Sequence, residues 1–134
     1  LAQITKSLSL RSSLTYTWGH VKEENVPLDH IPPVFGITSL KLELSKFTTE
    51  FYARYNGWKH IEDYSPGGED NEAYATADGM PAWYTLNLRA GYQFNQNISL
   101  QAGFENMLDK HYRNFASGIS APGRNIYVTL RANL

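Results

Sequence analysis

Ile98-Ser99-Leu100-Gln101-Ala102-Gly103-Phe104-Glu105 alternates apolar residues with small or polar ones. After a polar interval the alternation resumes in Asn125-Ile126-Tyr127-Val128-Thr129-Leu130-Arg131-Ala132-Asn133-Leu134. A period of two is the mark of a strand with one apolar and one polar face. The interval, residues 106–124, is polar and carries Gly and Pro. The last residue, Leu134, continues the apolar stripe, whereas the termini of soluble domains are usually polar and frayed. This stretch predicts the closing hairpin of a membrane β-barrel, with Leu134 at its rim.

Composition bounds the alternatives. The chain has 134 residues, enough for one ordinary domain, and a formal net charge of −1, which gives no pull toward nucleic acid. Cysteine is absent, so disulfide frameworks, thiolate metal sites and cysteine nucleophiles are excluded. No run approaches the ~18 apolar residues of a transmembrane helix. The opening Leu1-Ala2-Gln3-Ile4 lacks a basic region and an apolar core and does not read as a signal peptide. The expectation is that a leader has been removed or that the chain is a piece of a longer one. Tyr (9), Phe (6) and Trp (3) are abundant, as are turn residues, which favours an all-β fold.

Working back from the closing hairpin, strands are expected at residues 4–18, 36–45, 48–58 and 83–94. Leu8, Leu10, Leu14, Tyr16 and Trp18 share one face of the first. Leu40, Leu42 and Leu44 mark the second, Phe51, Ala53 and Tyr55 the third, and Tyr84, Leu86, Leu88, Ala90, Tyr92 and Phe94 the fourth. No charge interrupts this face inside a strand. The opposite face carries Arg11, Lys41, Glu43, Glu50, Arg54, Arg89, Glu105 and Arg131. Connections alternate long and short, with Ile31-Pro32-Pro33 and Pro66-Gly67-Gly68 marking two of the long ones. Aromatic residues gather at strand ends, with Trp18, Trp58, Trp83 and Tyr84 beside long loops and Tyr92 and Phe94 beside short turns. Outer-membrane barrels combine short periplasmic turns, long outer loops and two aromatic girdles. The fold class expected is therefore an antiparallel, up-and-down transmembrane β-barrel. A soluble β-sandwich carbohydrate-binding module would share the alternation but not the sorted loops and girdles. About six strands cannot close a barrel, since the smallest have ~8. The rest would come from a longer chain, or from other subunits of a barrel closed by oligomerisation.

Asn106-Met107-Leu108-Asp109-Lys110-His111-Tyr112 resembles the N-x-x-D-x-x-Y segment near the C-terminus of TonB-dependent outer-membrane receptors. Ala121-Pro122-Gly123-Arg124-Asn125 is similar to the P-G-R segment of the same family. Pro27-Leu28-Asp29-His30-Ile31-Pro32-Pro33 resembles its P-x-x-x-I-P-P loop. Leu134 departs from the pattern, because most of these barrels end in an aromatic residue that assists the barrel-assembly machinery. The resemblance implies that residues 1–134 form the last six strands of a 22-stranded barrel filled by an N-terminal plug. It also implies outer-membrane lipid around the chain, a periplasmic C-terminus and a scarce-nutrient ligand such as a ferric siderophore, haem or cobalamin. TonB would engage only through an N-terminal segment that this chain lacks.

Asn106, Asp109, Tyr112, Pro122, Gly123 and Arg124 also have physical roles as loop formers. Asn106 and Asp109 can accept backbone N–H bonds, Tyr112 can pack on the wall, and Arg124 can bond carbonyls or carboxylates. Gly118 and Gly123 would supply backbone angles closed to other residues, and Pro122 would stiffen the re-entry. The acids of residues 62–78 suggest calcium, yet the spacing is not that of an EF-hand, and a solvated loop is expected. His20, His30, His60 and His111 show no metal-ligand spacing. Tyr74 and His111 are the candidate ligand contacts in the outer loops. No nucleophile elbow or phosphate-cradling glycine loop is present, so neither enzyme activity nor a cofactor is expected.

Overall fold

The structure is a computed structural model that describes residues 1–133. Leu134, the expected rim residue, lies outside the described residues. Its strands in chain order are β1 (Ala2–Gln3), β2 (Leu8–Thr15), β3 (His20–Val21), β4 (Val26–Pro27), β5 (Phe35–Glu43) and β6 (Phe47–Asn56). β7 (Lys59–His60), β8 (Gly79–Met80), β9 (Trp83–Gln93), β10 (Ile98–Glu105) and β11 (Asn125–Ala132) follow. β1, β2, β5, β6, β9, β10 and β11 form one seven-stranded sheet in that order, and every strand pairs antiparallel with its neighbours. β3–β4 and β7–β8 are two-residue ribbons inside long connections.

Register brings the apolar stripes together. One row runs across the sheet as Leu10, Leu40, Phe51, Leu88, Phe104 and Ile126, each directly opposite the next. On the other face Ser9, Lys41, Glu50, Arg89, Gly103 and Tyr127 form a parallel row. A one-residue slip of any strand would exchange these faces, so the alternation fixes the register.

The apolar face is left uncovered, unlike that of a water-soluble sheet, and part of the polar face is covered instead. Leu14 (67%), Val128 (66%) and Leu130 (67%) stand exposed, whereas Ser39 (5%), Thr85 (1%) and Asn87 (3%) are buried on the polar face. A sandwich would lay a second sheet against the apolar face about 10 Å away. Among the described residues the other sheets are only the two-residue ribbons β3–β4 and β7–β8.

The sheet differs from expectation at its start. β2 is shorter than the strand expected over residues 4–18, and β1 is an additional strand joined to it by a tight turn. Gln3-Ile4-Thr5-Lys6-Ser7-Leu8-Ser9-Leu10 repeats the chemistry of Gln93-Phe94-Asn95-Gln96-Asn97-Ile98-Ser99-Leu100. Thr5 Oγ1 accepts from the Ser7 and Leu8 amides at 3.3 and 3.1 Å, and Asn95 Oδ1 accepts from Asn97 and Ile98 at 2.9 Å each. In both turns the glutamine amide also donates to the backbone of the turn. Short connections at residues 4–7, 44–46 and 94–97 thus lie at one end of the sheet. The long ones, 16–34, 57–82 and 106–124, lie at the other.

Candidate functional site

The polar face and the long connections that fold over it form the site. On the face itself, Arg89 donates to Glu50 through Nε at 2.8 Å and through a second guanidinium nitrogen at 2.5 Å. The same guanidinium lies 5.4 Å from the Tyr52 ring centroid, and Tyr52 donates to Glu105 at 3.3 Å. Lys41 bonds Glu43 at 2.8 Å. The Tyr127 ring lies over Gly103, where a Cβ would collide with it. The result is a charged, hydrogen-bonded wall able to face water or a polar domain, with acids and bases alternating across the strands.

The connection between β10 and β11 turns inward through Asn106, which is 3% exposed. Its Oδ1 accepts from the Lys110 amide at 2.9 Å, while Nδ2 donates to the Lys110 carbonyl at 2.9 Å and the Pro122 carbonyl at 3.2 Å. Its own amide donates to Asn87 Oδ1 at 2.9 Å, and Asn87 Nδ2 donates to the Tyr52 carbonyl and Thr85 Oγ1, both at 3.2 Å. Asp109 Oδ1 accepts from the Arg124 amide at 2.7 Å. Gly123 is confined by space rather than by angle: a Cβ there would stand 2.8 Å from Asp109 Oδ1. The left-handed backbone expected of Gly118 and Gly123 belongs instead to Asn106 (φ 47°), Asp109 (φ 52°) and Ala116 (φ 58°). The Arg124 guanidinium, expected to bond loop groups, makes no hydrogen bond among the described residues.

Tyr112 meets Trp83 with ring centroids 4.1 Å apart. This corrects the expectation for Trp83. It is 8% exposed, lies opposite Asn56 on the polar face, and is covered by the inward loop through Tyr112. Its parity, shared with Thr85 and Asn87, was the available signal. Tyr84, on the apolar face opposite Tyr55, is 54% exposed. Tyr92 and Phe94 pack edge to face at 5.0 Å beside the short turns. Trp18 and Trp58 stand beyond the ends of β2 and β6 and stack on His20 and His60 at 5.4 and 5.7 Å. Trp58 Nε1 also donates to the Asp78 carbonyl at 3.0 Å.

Tyr74 and His111, far apart in sequence, line one pocket of about 360 Å³ with Met80, Trp83, Lys110 and Arg113. Arg113 donates to the Tyr74 carbonyl at 2.7 Å, and His111 Nε2 lies 2.9 Å from Ser120 Oγ. Aromatic walls with cationic side chains at the edge suit a small ligand with a planar or anionic group. Sequence reasoning missed Lys110 and Arg113 as neighbours of these two residues. No group of three His, Cys, Asp or Glu side chains able to hold a metal forms among the described residues.

The acidic connection is exposed at Glu62, Asp63, Glu69, Glu72 and Asp78, as a solvated loop would be, but not throughout. Asp70 (2%), Lys59 (3%) and Tyr64 (6%) are buried within it. His30 donates its backbone N–H to both oxygens of Asp70, at 2.9 and 3.2 Å. Ser65 donates to Asp29 at 3.0 Å. Burial, then the Asp70 and Glu72 carboxylates, hold the Tyr64 phenol above the usual tyrosine range.

Among solved structures, a copper transporter, OprC, superposes on 97% of this chain with a TM-score of 0.82 and 20% identity. The ferric enterobactin receptor PfeA of Pseudomonas aeruginosa, in complex with enterobactin, covers 96% with a TM-score of 0.74 and 22% identity. Both are TonB-dependent receptors. The chain has the fold of a TonB-dependent receptor barrel segment. It spans about a fifth of the length of those receptors, 21% and 20%. No family model matches the sequence, and no curated protein matches it.

Proposed function

We propose that residues 1–134 are the C-terminal part of the barrel domain of an outer-membrane receptor for TonB-dependent uptake of a scarce nutrient. The observation that carries this reading is the sidedness of the sheet, with a charge-free apolar face left uncovered and a charged face partly buried beneath the long connections. Water drives soluble domains to the opposite arrangement, whereas a lipid bilayer rewards this one. The β1 stub and its repeated turn support a preceding strand that continues along β2. About sixteen strands and a plug would precede this chain in a ~22-stranded receptor. On this reading the short turns and the C-terminus face the periplasm and the long connections face outward. The barrel-assembly machinery inserts the chain into outer-membrane lipid, and β11 closes on the barrel's first strand. The plug rests on the polar wall and carries the TonB-binding segment. The pocket around Tyr74 and His111 contacts the nutrient. Copper and ferric enterobactin, named for the two structural neighbours, mark the range of cargo to test.

The test is uptake by the full-length protein in a Gram-negative host deprived of its own receptors. Growth on limiting nutrient should be restored only when TonB is functional. Growth that is independent of TonB, or recovery of the folded protein without detergent, would overturn the proposal.

A further inference from the structure

The three long connections meet at one buried lysine. Lys59, 3% exposed, donates from Nζ to the Ile31 carbonyl at 2.7 Å, tying the middle connection to the first. The same ammonium lies 5.4 Å from the Tyr64 ring centroid and 5.3 Å from that of Phe115, which belongs to the third. The two rings are themselves 6.3 Å apart. Around this point the middle connection bonds the first through His30–Asp70 and Ser65–Asp29. It bonds the third through Asn71 Nδ2 to the Ala116 carbonyl and Arg113 to the Tyr74 carbonyl, both at 2.7 Å. No hydrogen bond joins the first and third directly among the described residues. The middle connection is therefore the hub.

A buried ammonium is costly unless something requires it. Burial pushes the Lys59 pKa down, and Asp70 and Asp63 partly offset this. A methionine would fill similar space without that cost, but it could neither donate to Ile31 nor draw the two aromatic faces onto a cation.

We propose that the three long connections form a single lid over the mouth of the polar face, latched by Lys59, and that the lid loosens as a unit rather than loop by loop. Which side of a membrane the lid faces rests on the receptor reading; its unity does not. Hydrogen exchange on the membrane-inserted full-length protein tests it, with the Lys59→Met and Asp70→Asn variants. Asp70 makes its hydrogen bonds only to the first connection, so any effect on the third must travel through the hub. Both variants should speed exchange about tenfold at residues 28–33 and at residues 113–117. β6 and β9 should remain slow, which reports that the barrel is intact. Acceleration confined to residues 28–33 in Asp70→Asn, or to residues 57–82 in Lys59→Met, would overturn the lid. If Lys59→Met fails to insert, Asp70→Asn alone decides. Unchanged exchange in both regions would overturn the lid as well, whereas failure of the unsubstituted full-length protein to support uptake counts against the receptor reading alone.

Discussion

Asn106 holds its loop with three side-chain bonds, on a backbone angle that Asn tolerates better than most residues. Asn106→Ala would leave the Lys110 amide and two carbonyls to find other partners in a buried place. It should cost about 2–4 kcal/mol in denaturant unfolding from detergent micelles. Asn114→Ala, at an exposed position of the same loop, should stay within about 0.5 kcal/mol. Tyr64 gives a pH dependence with a definite sign. Its folded-state pKa lies above the ordinary 10.0, so the folded protein keeps the proton while the unfolded chain ionises. Its contribution is complete below pH 10.0 and is lost as pH rises from there through the raised value. The phenolate absorbance lost in Tyr64→Phe should be that of a late-titrating tyrosine, rising together with the loosening of the loops. At this scale the sequence was legible in part. The Asn106 and Asp109 side chains bond backbone amides as their chemistry suggests. Trp83 was misplaced because an aromatic residue at a strand end fits a girdle and a loop contact equally well. Only its parity with Thr85 and Asn87 separates the two.

The strands express the alternation directly, because a one-residue slip would turn every apolar side chain to the other face. Leu88→Arg would place a charge in the middle of the apolar row and should cost about 2–4 kcal/mol, measured by unfolding in lipid vesicles. Gln101→Arg, on the polar face of the adjacent strand, should be nearly neutral. Similar costs at both positions would contradict the sidedness. Five of the long strands begin and end close to where the alternation predicts. β2 ends earlier, because Tyr16, Thr17 and Trp18 have no partners on β5, whose last pairing with it is Thr15 to Phe35. β1 went unread although its signal was present: the Gln3 turn matches the Gln93 turn residue by residue in chemistry. Two residues are too few for periodicity to register, so only the comparison of turns could have found it.

Among the described residues the long strands make one wall with the long connections folded over its polar face, and these two halves were unequally legible. The wall follows from local alternation. The folded connections depend on ties such as His30 to Asp70 and Asn71 to Ala116, which join residues 40 and 45 positions apart. Such ties need a polar partner brought near by the strands, so composition alone does not separate buried Asp70 from its exposed acidic neighbours. The central claim is that Leu88, Ala90 and Tyr92 face lipid while Arg89, Gly91 and Gln93 face a water-filled interior. The chain has no cysteine, which permits single-cysteine labelling along β9 in an otherwise cysteine-free full-length protein. With a membrane-impermeant maleimide applied to the protein in bilayers, cysteines at 89, 91 and 93 should react, or do so once the interior is cleared by denaturant. Those at 88, 90 and 92 should react only with a lipid-soluble reagent. Equal water access at both sets, or the reverse pattern, would contradict the account.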